Sequence, residues 1–120
     1  MLTPPYINRV WLQGQISTHP STKALNSQTQ VTSFQLSMVE SWRNSAGEIC
    51  ERKNKVTVEV VGRDSAYVAE NAKLGSWVTL EGYFRSEQFK GQELTKVRTF
   101  SITIWGAVPD EKRKERSAER

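Results

Sequence analysis

The chain has 120 residues, 37% of them hydrophobic and 25% charged, enough for one domain with a single modest core. Its 17 Lys and Arg against 13 Asp and Glu give a net charge of +4, a mild bias towards polyanions that an ordinary basic surface would also show. One cysteine and one histidine exclude an internal disulfide and a zinc site of the usual ligand sets, and no apolar run approaches bilayer-spanning length.

Residues 1–7 contain Pro4-Pro5 and read as an extended arm. MLTPPYINRV lacks the charged-then-apolar pattern of a signal peptide, so the expected location is the cytoplasm. In NRVWLQGQI (8–16), Val10, Leu12 and Ile16 alternate with Arg9, Trp11, Gln13 and Gln15, the pattern of a strand with one buried face. Trp11 falls on the polar face, where a large ring implies a partner surface. Residues 17–30, rich in Ser, Thr, Asn and Pro, read as a long loop, with His19 a solvated loop histidine.

A second strand covers 31–42, with Phe34, Leu36 and Met38 on one face. Residues 43–53 form a charged, hairpin-like loop turning near Asn44–Gly47. The third strand, 55–61, sets Val56, Val58 and Val60 against Lys55, Thr57, Glu59 and Val61. Residues 64–74 are alanine-containing and helical in pattern, with Asp64 or Ser65 as cap and Gly75 as stop.

The following stretch, LGSWVTLEGYFRSEQF (74–89), joins β-branched and aromatic residues into a fourth strand. Gly82 within it marks a tight bend or a close backbone approach. Tyr83, Phe84, Arg85, Phe89 and Lys90 bring rings and cations together, as the holding of an unpaired polynucleotide requires. The same rings would also serve as core or interface, and alternation puts Phe84 in the core beside Leu80. After a turn at 90–93, the fifth strand runs over 94–105, with Phe100, Ile102 and Ile104 on its buried side. Residues 107–120, mostly charged from Asp110 onward, read as a disordered tail.

Three strands, a short helix and two more strands make an all-β chain with the layout of the five-stranded OB-fold barrel over 8–106. A small antiparallel sandwich is the alternative, and the helix between the third and fourth strands favours the barrel. There is no phosphate-binding Walker loop, no nucleophile elbow and no metal-ligand cluster, so a binding protein without cofactor or metal is expected rather than an enzyme.

Four segments in order resemble the bacterial single-stranded DNA-binding protein family, with the dimeric primosomal replication protein N family as a close relative. They are NRVWLQGQI, VESWR, the Gly47-Glu48 pair, and VVGRDSAYVAENAKLGSWVTLEGYFR. The resemblance implies non-catalytic binding of single-stranded DNA in replication, recombination or repair, by stacking and phosphate contact. RNA remains open as a ligand, because stacking does not distinguish the sugars.

By position, Trp42 and Phe89 match base platforms and Arg85 a cation of the binding strand. Phosphate contact is expected from Arg43, Lys53, Lys55, Arg85, Lys90, Lys96 and Arg98, and Arg63 is read as structural. Trp11, Val56, Trp77 and Thr79 match surfaces of subunit assembly, in a homo-oligomer that is a dimer or a tetramer. The chain departs from the family at Lys55 and Val61, where rings are common, a difference of about 2–6 kcal/mol at 1–3 kcal/mol per stacked base. Glu59, on the same face, is expected to repel the backbone. The family's acidic, apolar-tipped tail, which recruits replication and repair proteins, is not matched by DEKRKERSAER.

Overall fold

Residues 2–105 are described by a computed structural model. Residues 2–9 carry no regular secondary structure, and the tail assigned to 107–120 lies outside the described residues. Six strands and one helix follow in the order β1 (Val10–Ile16), β2 (Ser21–Ala24), β3 (Gln30–Arg43), β4 (Ile49–Val61), α1 (Arg63–Asn71), β5 (Trp77–Phe89) and β6 (Gln92–Ile104). The strands neighbour one another as β1-β5-β6-β4-β3, and pairing of Gln15 and Ile16 with Ser37 and Leu36 closes the circle. All pairs in this barrel are antiparallel except β4 with β6. It is the expected OB barrel, with the helix between its third and fourth strands.

The period-two pattern carries the core. Ile16, Phe34, Leu36, Val58, Val60, Val78, Leu80 and Val97 point inward, and Val68 and Ala72 of α1 join them. The helix is fastened by buried hydroxyls. Thr32 Oγ1 lies 2.7 Å from Ser65 Oγ and 3.0 Å from the Ser65 carbonyl it donates to. This corrects the cap expected at Asp64 or Ser65: α1 begins after Gly62 with no side-chain cap, because the Ser65 hydroxyl is engaged by β3. The helix also ends earlier, at Asn71, and Gly75 belongs to the next turn, where Ser76 N donates to the Lys73 carbonyl.

Four further expectations change. The long loop at 17–30 contains β2, a fully exposed edge strand paired to β3 from Ser21↔Ser33 to Ala24↔Gln30. With neither face buried, it leaves no apolar period to read. The charged loop at 43–53 is shorter, because β3 and β4 stay paired out to Arg43↔Ile49. Asn44 shapes the tip, its Oδ1 accepting from the backbone N–H of Ala46 and Glu48 at 3.0 and 2.9 Å.

Phe100 is not on the buried side; it is 48% exposed. Glu81 pairs with Ser101 and Gly82 with Thr99, so Phe100 is an extra residue in β6. That bulge reverses which parity faces inward, from Val97 and Thr99 to Ile102 and Ile104. At the same point a Cβ on Gly82 would collide with the Arg98 carbonyl, which is the close approach the glycine signalled. Phe84 is also outside the core, at 50% exposure, although Val97 opposite it on β6 is fully buried.

Candidate nucleic-acid interface

Two hairpins project from the barrel. β4 and β6 are paired only over Thr57–Val60 and Lys96–Thr99, so the β3–β4 and β5–β6 hairpins separate beyond that point. Trp42 stands near the tip of the first and Phe89 at the tip of the second, 46% and 58% exposed. Neither is tucked under the fold. Phe89 leads into a two-residue turn in which Lys90 and Gly91 both have positive φ, 52° and 79°, the geometry of a type I′ hairpin. Lys90 Nζ lies 5.4 Å from the Phe89 ring centre.

Strand alternation sorts the remaining expected residues. Tyr83, Arg85, Glu87 and Phe89 of β5 lie opposite Arg98, Lys96, Leu94 and Gln92 of β6 on the barrel's outward face. Thr57 and Glu59 of β4 lie beside Lys96 and Arg98 on that face, and Lys53 and Lys55 extend it towards the hairpin. Arg43 shares this outward side of the β3–β4 hairpin, while Trp42, by parity, shares the side of Met38 and Leu36. The two platforms therefore face different sides of the sheet, which the one-dimensional reading did not distinguish.

The cations also differ in availability. Lys53 and Lys55 are exposed and make no ion pair among the described residues. Arg43 donates to the Gly47 carbonyl at 2.9 Å. Lys96 and Arg98 are held by Glu59, at 3.2 and 3.1 Å, and Lys96 also by Glu87, at 3.1 Å. Glu87 in turn reaches Arg85 Nε at 3.5 Å. Glu59 is thus not a bare negative charge, as expected, but the 9%-exposed centre of an ion-pair strip.

Burial alone would raise the Glu59 carboxyl, but hydrogen bonds from Arg98 and Lys96, with their charges, hold it below the ordinary carboxylate value. The Lys96 ammonium is raised, first by its hydrogen bond to Glu87, against the opposing effect of burial, and then by Glu59.

Asn8 opens the NRVWLQGQI segment. Its side-chain amide accepts from Phe84 N and donates to the Phe84 carbonyl, both at 2.8 Å, and so extends the β1–β5 ladder beyond Val10↔Gly82. Nothing in sequence periodicity reports an amide that stands in for a peptide group.

The assembly residues diverge. Trp11 is 79% exposed on β1, and Trp77 and Thr79 lie on the adjoining outward face of β5. Trp105 Nε1 donates to Thr79 Oγ1 at 3.0 Å, and Thr79 Oγ1 donates to Gln13 Oε1 at 2.7 Å. Val56 is elsewhere, partly buried against the core.

A closed five-stranded barrel with a helix after its third strand defines an OB-fold protein, and this one carries exposed rings and cations on its projecting hairpins. A model of the single-strand binding protein family matches residues 7–108, and the chain belongs to that family of non-enzymatic single-stranded DNA-binding proteins.

Solved structures share the fold. A Plasmodium falciparum single-stranded DNA-binding protein in complex with single-stranded DNA is similar at a TM-score of 0.76 and 17% identity, over 86% of this chain and 98% of that one. A deletion mutant of the Thermus aquaticus single-stranded DNA-binding protein gives 0.75 and 17%, over 84% of this chain. This chain spans 51% of that protein's chain. A small single-stranded DNA-binding protein from Streptomyces coelicolor gives 0.69 and 12%, over 83% and 95%.

Proposed function

We propose that this chain binds single-stranded DNA without reading its sequence, as a homo-oligomer acting in replication, recombination or repair. The observation that carries the reading is the pair of exposed rings, Trp42 and Phe89, on hairpins whose Lys53, Lys55 and Lys90 make no ion pair among the described residues. Bases stack on the rings, and free ammonium groups replace the counterions of the phosphates. Arg43 and Arg85 contribute further positive charge at the two hairpins. Lys96 and Arg98 contribute only as far as phosphate exchanges with Glu59.

The rings face different sides of the sheet, so the strand rounds the edge of the β3–β4 hairpin to touch both. Oligo-dT should quench tryptophan emission, with log affinity falling against log salt by about 0.7 per phosphate neutralised. Trp42→Ala and Phe89→Ala should each weaken binding about 5- to 150-fold, from roughly 1–3 kcal/mol per stacked base. A flat titration at low salt would overturn the proposal.

A second reading, an accessory protein that binds DNA weakly and bridges replication partners, is favoured by Lys55 and Val61 standing on the outward face without rings. Its signature is capture of a replicative helicase that survives nuclease treatment.

A further inference from the structure

The β5–β6 hairpin carries Phe89 at the end of a long lever. β1 pairs with β5 only as far as Val10↔Gly82, and β4 pairs with β6 only as far as Thr57↔Lys96. From Arg85 to Thr95, β5 and β6 therefore pair only with each other among the described residues. A two-stranded hairpin without a third strand is marginally stable in water, so the direction it takes depends on what holds its base. From Phe84 to Phe89 the lever is about 17 Å long, at about 3.4 Å per residue.

On the β1 side that base is held by one side chain. The register places Asn8 opposite Phe84, but the main chain of residues 2–9 is not part of a strand. The Asn8 amide makes both bonds that a paired strand residue would make. Its Oδ1 accepts from Phe84 N and its Nδ2 donates to the Phe84 carbonyl, each at 2.8 Å. Asparagine suits the place because its short side chain offers a donor and an acceptor on one planar group, as a peptide does. Arg9, next in the chain, is tied to Glu81 of the same strand. On the β4 side the outermost tie is the ion pair of Lys96 with Glu59 at 3.2 Å, which ends on a flexible lysine stem. Both Asn8 bonds are exposed and Asn8 is no part of the core cluster. They therefore add little to barrel stability and act on where the hairpin points.

From this geometry we infer that Asn8 is a positioning residue for base stacking. Its amide fixes the angle at which the β5–β6 hairpin leaves the barrel, and so holds the Phe89 ring in the path of the strand. The inference rests on the single-stranded DNA reading and adds to it a residue that itself touches no nucleotide. On a lever of this length a swing of about 10° at Phe84 carries the ring about 3 Å, well beyond the roughly 0.5 Å within which a binding group has to be held. A ring that spends only part of its time in the stacking position binds with an affinity reduced by that fraction. Trp42 stands on the other hairpin, to which Asn8 makes no hydrogen bond among the described residues.

The test is a double-mutant cycle read by the anisotropy of labelled oligo-dT, with amide hydrogen exchange of the free protein followed by NMR. Asn8→Ala should weaken binding about three- to tenfold, as the stacking position falls to about a third to a tenth of the population. In a Phe89→Ala background most of that loss should vanish, because no ring is left to place. In a Trp42→Ala background it should persist in full, since the two sites share no partner. Exchange should quicken at Phe84 and along the projecting hairpin but stay slow at Val58 and Val97 in the core. Equal losses in the two backgrounds, no loss at all, or exchange that quickens alike at Val58 and Val97 would make Asn8 a support of the ladder only. Each of those results overturns the inference and leaves the single-stranded DNA reading standing. If the wild type binds no oligo-dT at low salt, that reading falls and the inference falls with it.

Discussion

Glu59 sets the electrostatic character of the outward face. It takes two cations that would otherwise meet phosphate, and it does so from a largely buried position. Glu59→Gln keeps an acceptor for Arg98 but removes the carboxylate that neutralises it, and leaves Lys96 paired with Glu87 alone. It should cost about 2 kcal/mol of stability, as expected for hydrogen bonds to charged groups. The same change should tighten binding of oligo-dT and steepen its salt dependence by about 0.7 in slope. Chemical denaturation and salt titration of the one variant read both effects, and an unchanged slope would show that Arg98 stays out of the path. The pH dependence follows from the same group. Its carboxyl is lowered in the folded state, so its contribution is complete above the ordinary carboxylate value and is lost as pH falls through the folded value. Lys96 is raised, so its contribution is present at neutral pH and lost only as pH rises through its folded value, above the ordinary lysine range. Stability should therefore be flat between these limits and decline on both sides, and Glu59→Gln should shrink the acid limb specifically.

The β5–β6 hairpin is shaped at its two ends by backbone constraints of opposite kind. At its base, Gly82 lies against the Arg98 main chain, where no side chain can retreat. Gly82→Ala should destabilise the barrel by about 3 kcal/mol, the upper part of the usual overpacking range, as thermal melting would show. At its tip, Lys90 holds a left-handed conformation that costs a non-glycine residue about 1–2 kcal/mol. Asparagine tolerates that conformation, and Asn-Gly is the preferred type I′ pair. Lys90→Asn should thus raise the melting temperature while lowering oligo-dT affinity, because a phosphate contact beside Phe89 is removed. A variant that gained stability without losing affinity would exclude Lys90 from the interface.

At the scale of the molecule, the barrel offers two outward regions of different chemistry. One, on β4, β6 and the far half of β5, carries the ion-pair strip and the hairpin cations. The other, on β1 and the near half of β5, carries Trp11, Trp77 and the Trp105–Thr79–Gln13 hydrogen-bond chain. A ring as exposed as that of Trp11 is covered at low cost by another apolar surface. Light scattering should give a multiple of the 13.7 kDa chain mass, and Trp11→Glu should reduce it to the monomer with the barrel's circular dichroism unchanged. A wild-type protein that runs as a monomer at micromolar concentration would remove assembly from the proposed function.

The alternation of apolar residues by itself determined the first three barrel strands and their core residues Ile16, Phe34, Leu36, Val58 and Val60, while the fourth strand was legible from its β-branched and aromatic content and the helix from composition. Those core residues are buried on one face, and burial writes a period into the chain. Trp42, Phe89 and Arg85 are named by their positions in the family resemblance, since ring and charge alone do not separate a binding side chain from a core, interface or solvated one. Tertiary structure alone decided which cations are free. It drew Lys96 and Arg98 to Glu59 across a parallel β4–β6 pairing that joins residues far apart in sequence. It also decided the fate of Phe100. One extra residue in β6 turned that ring outward, because a bulge inverts strand parity without leaving any mark on the composition.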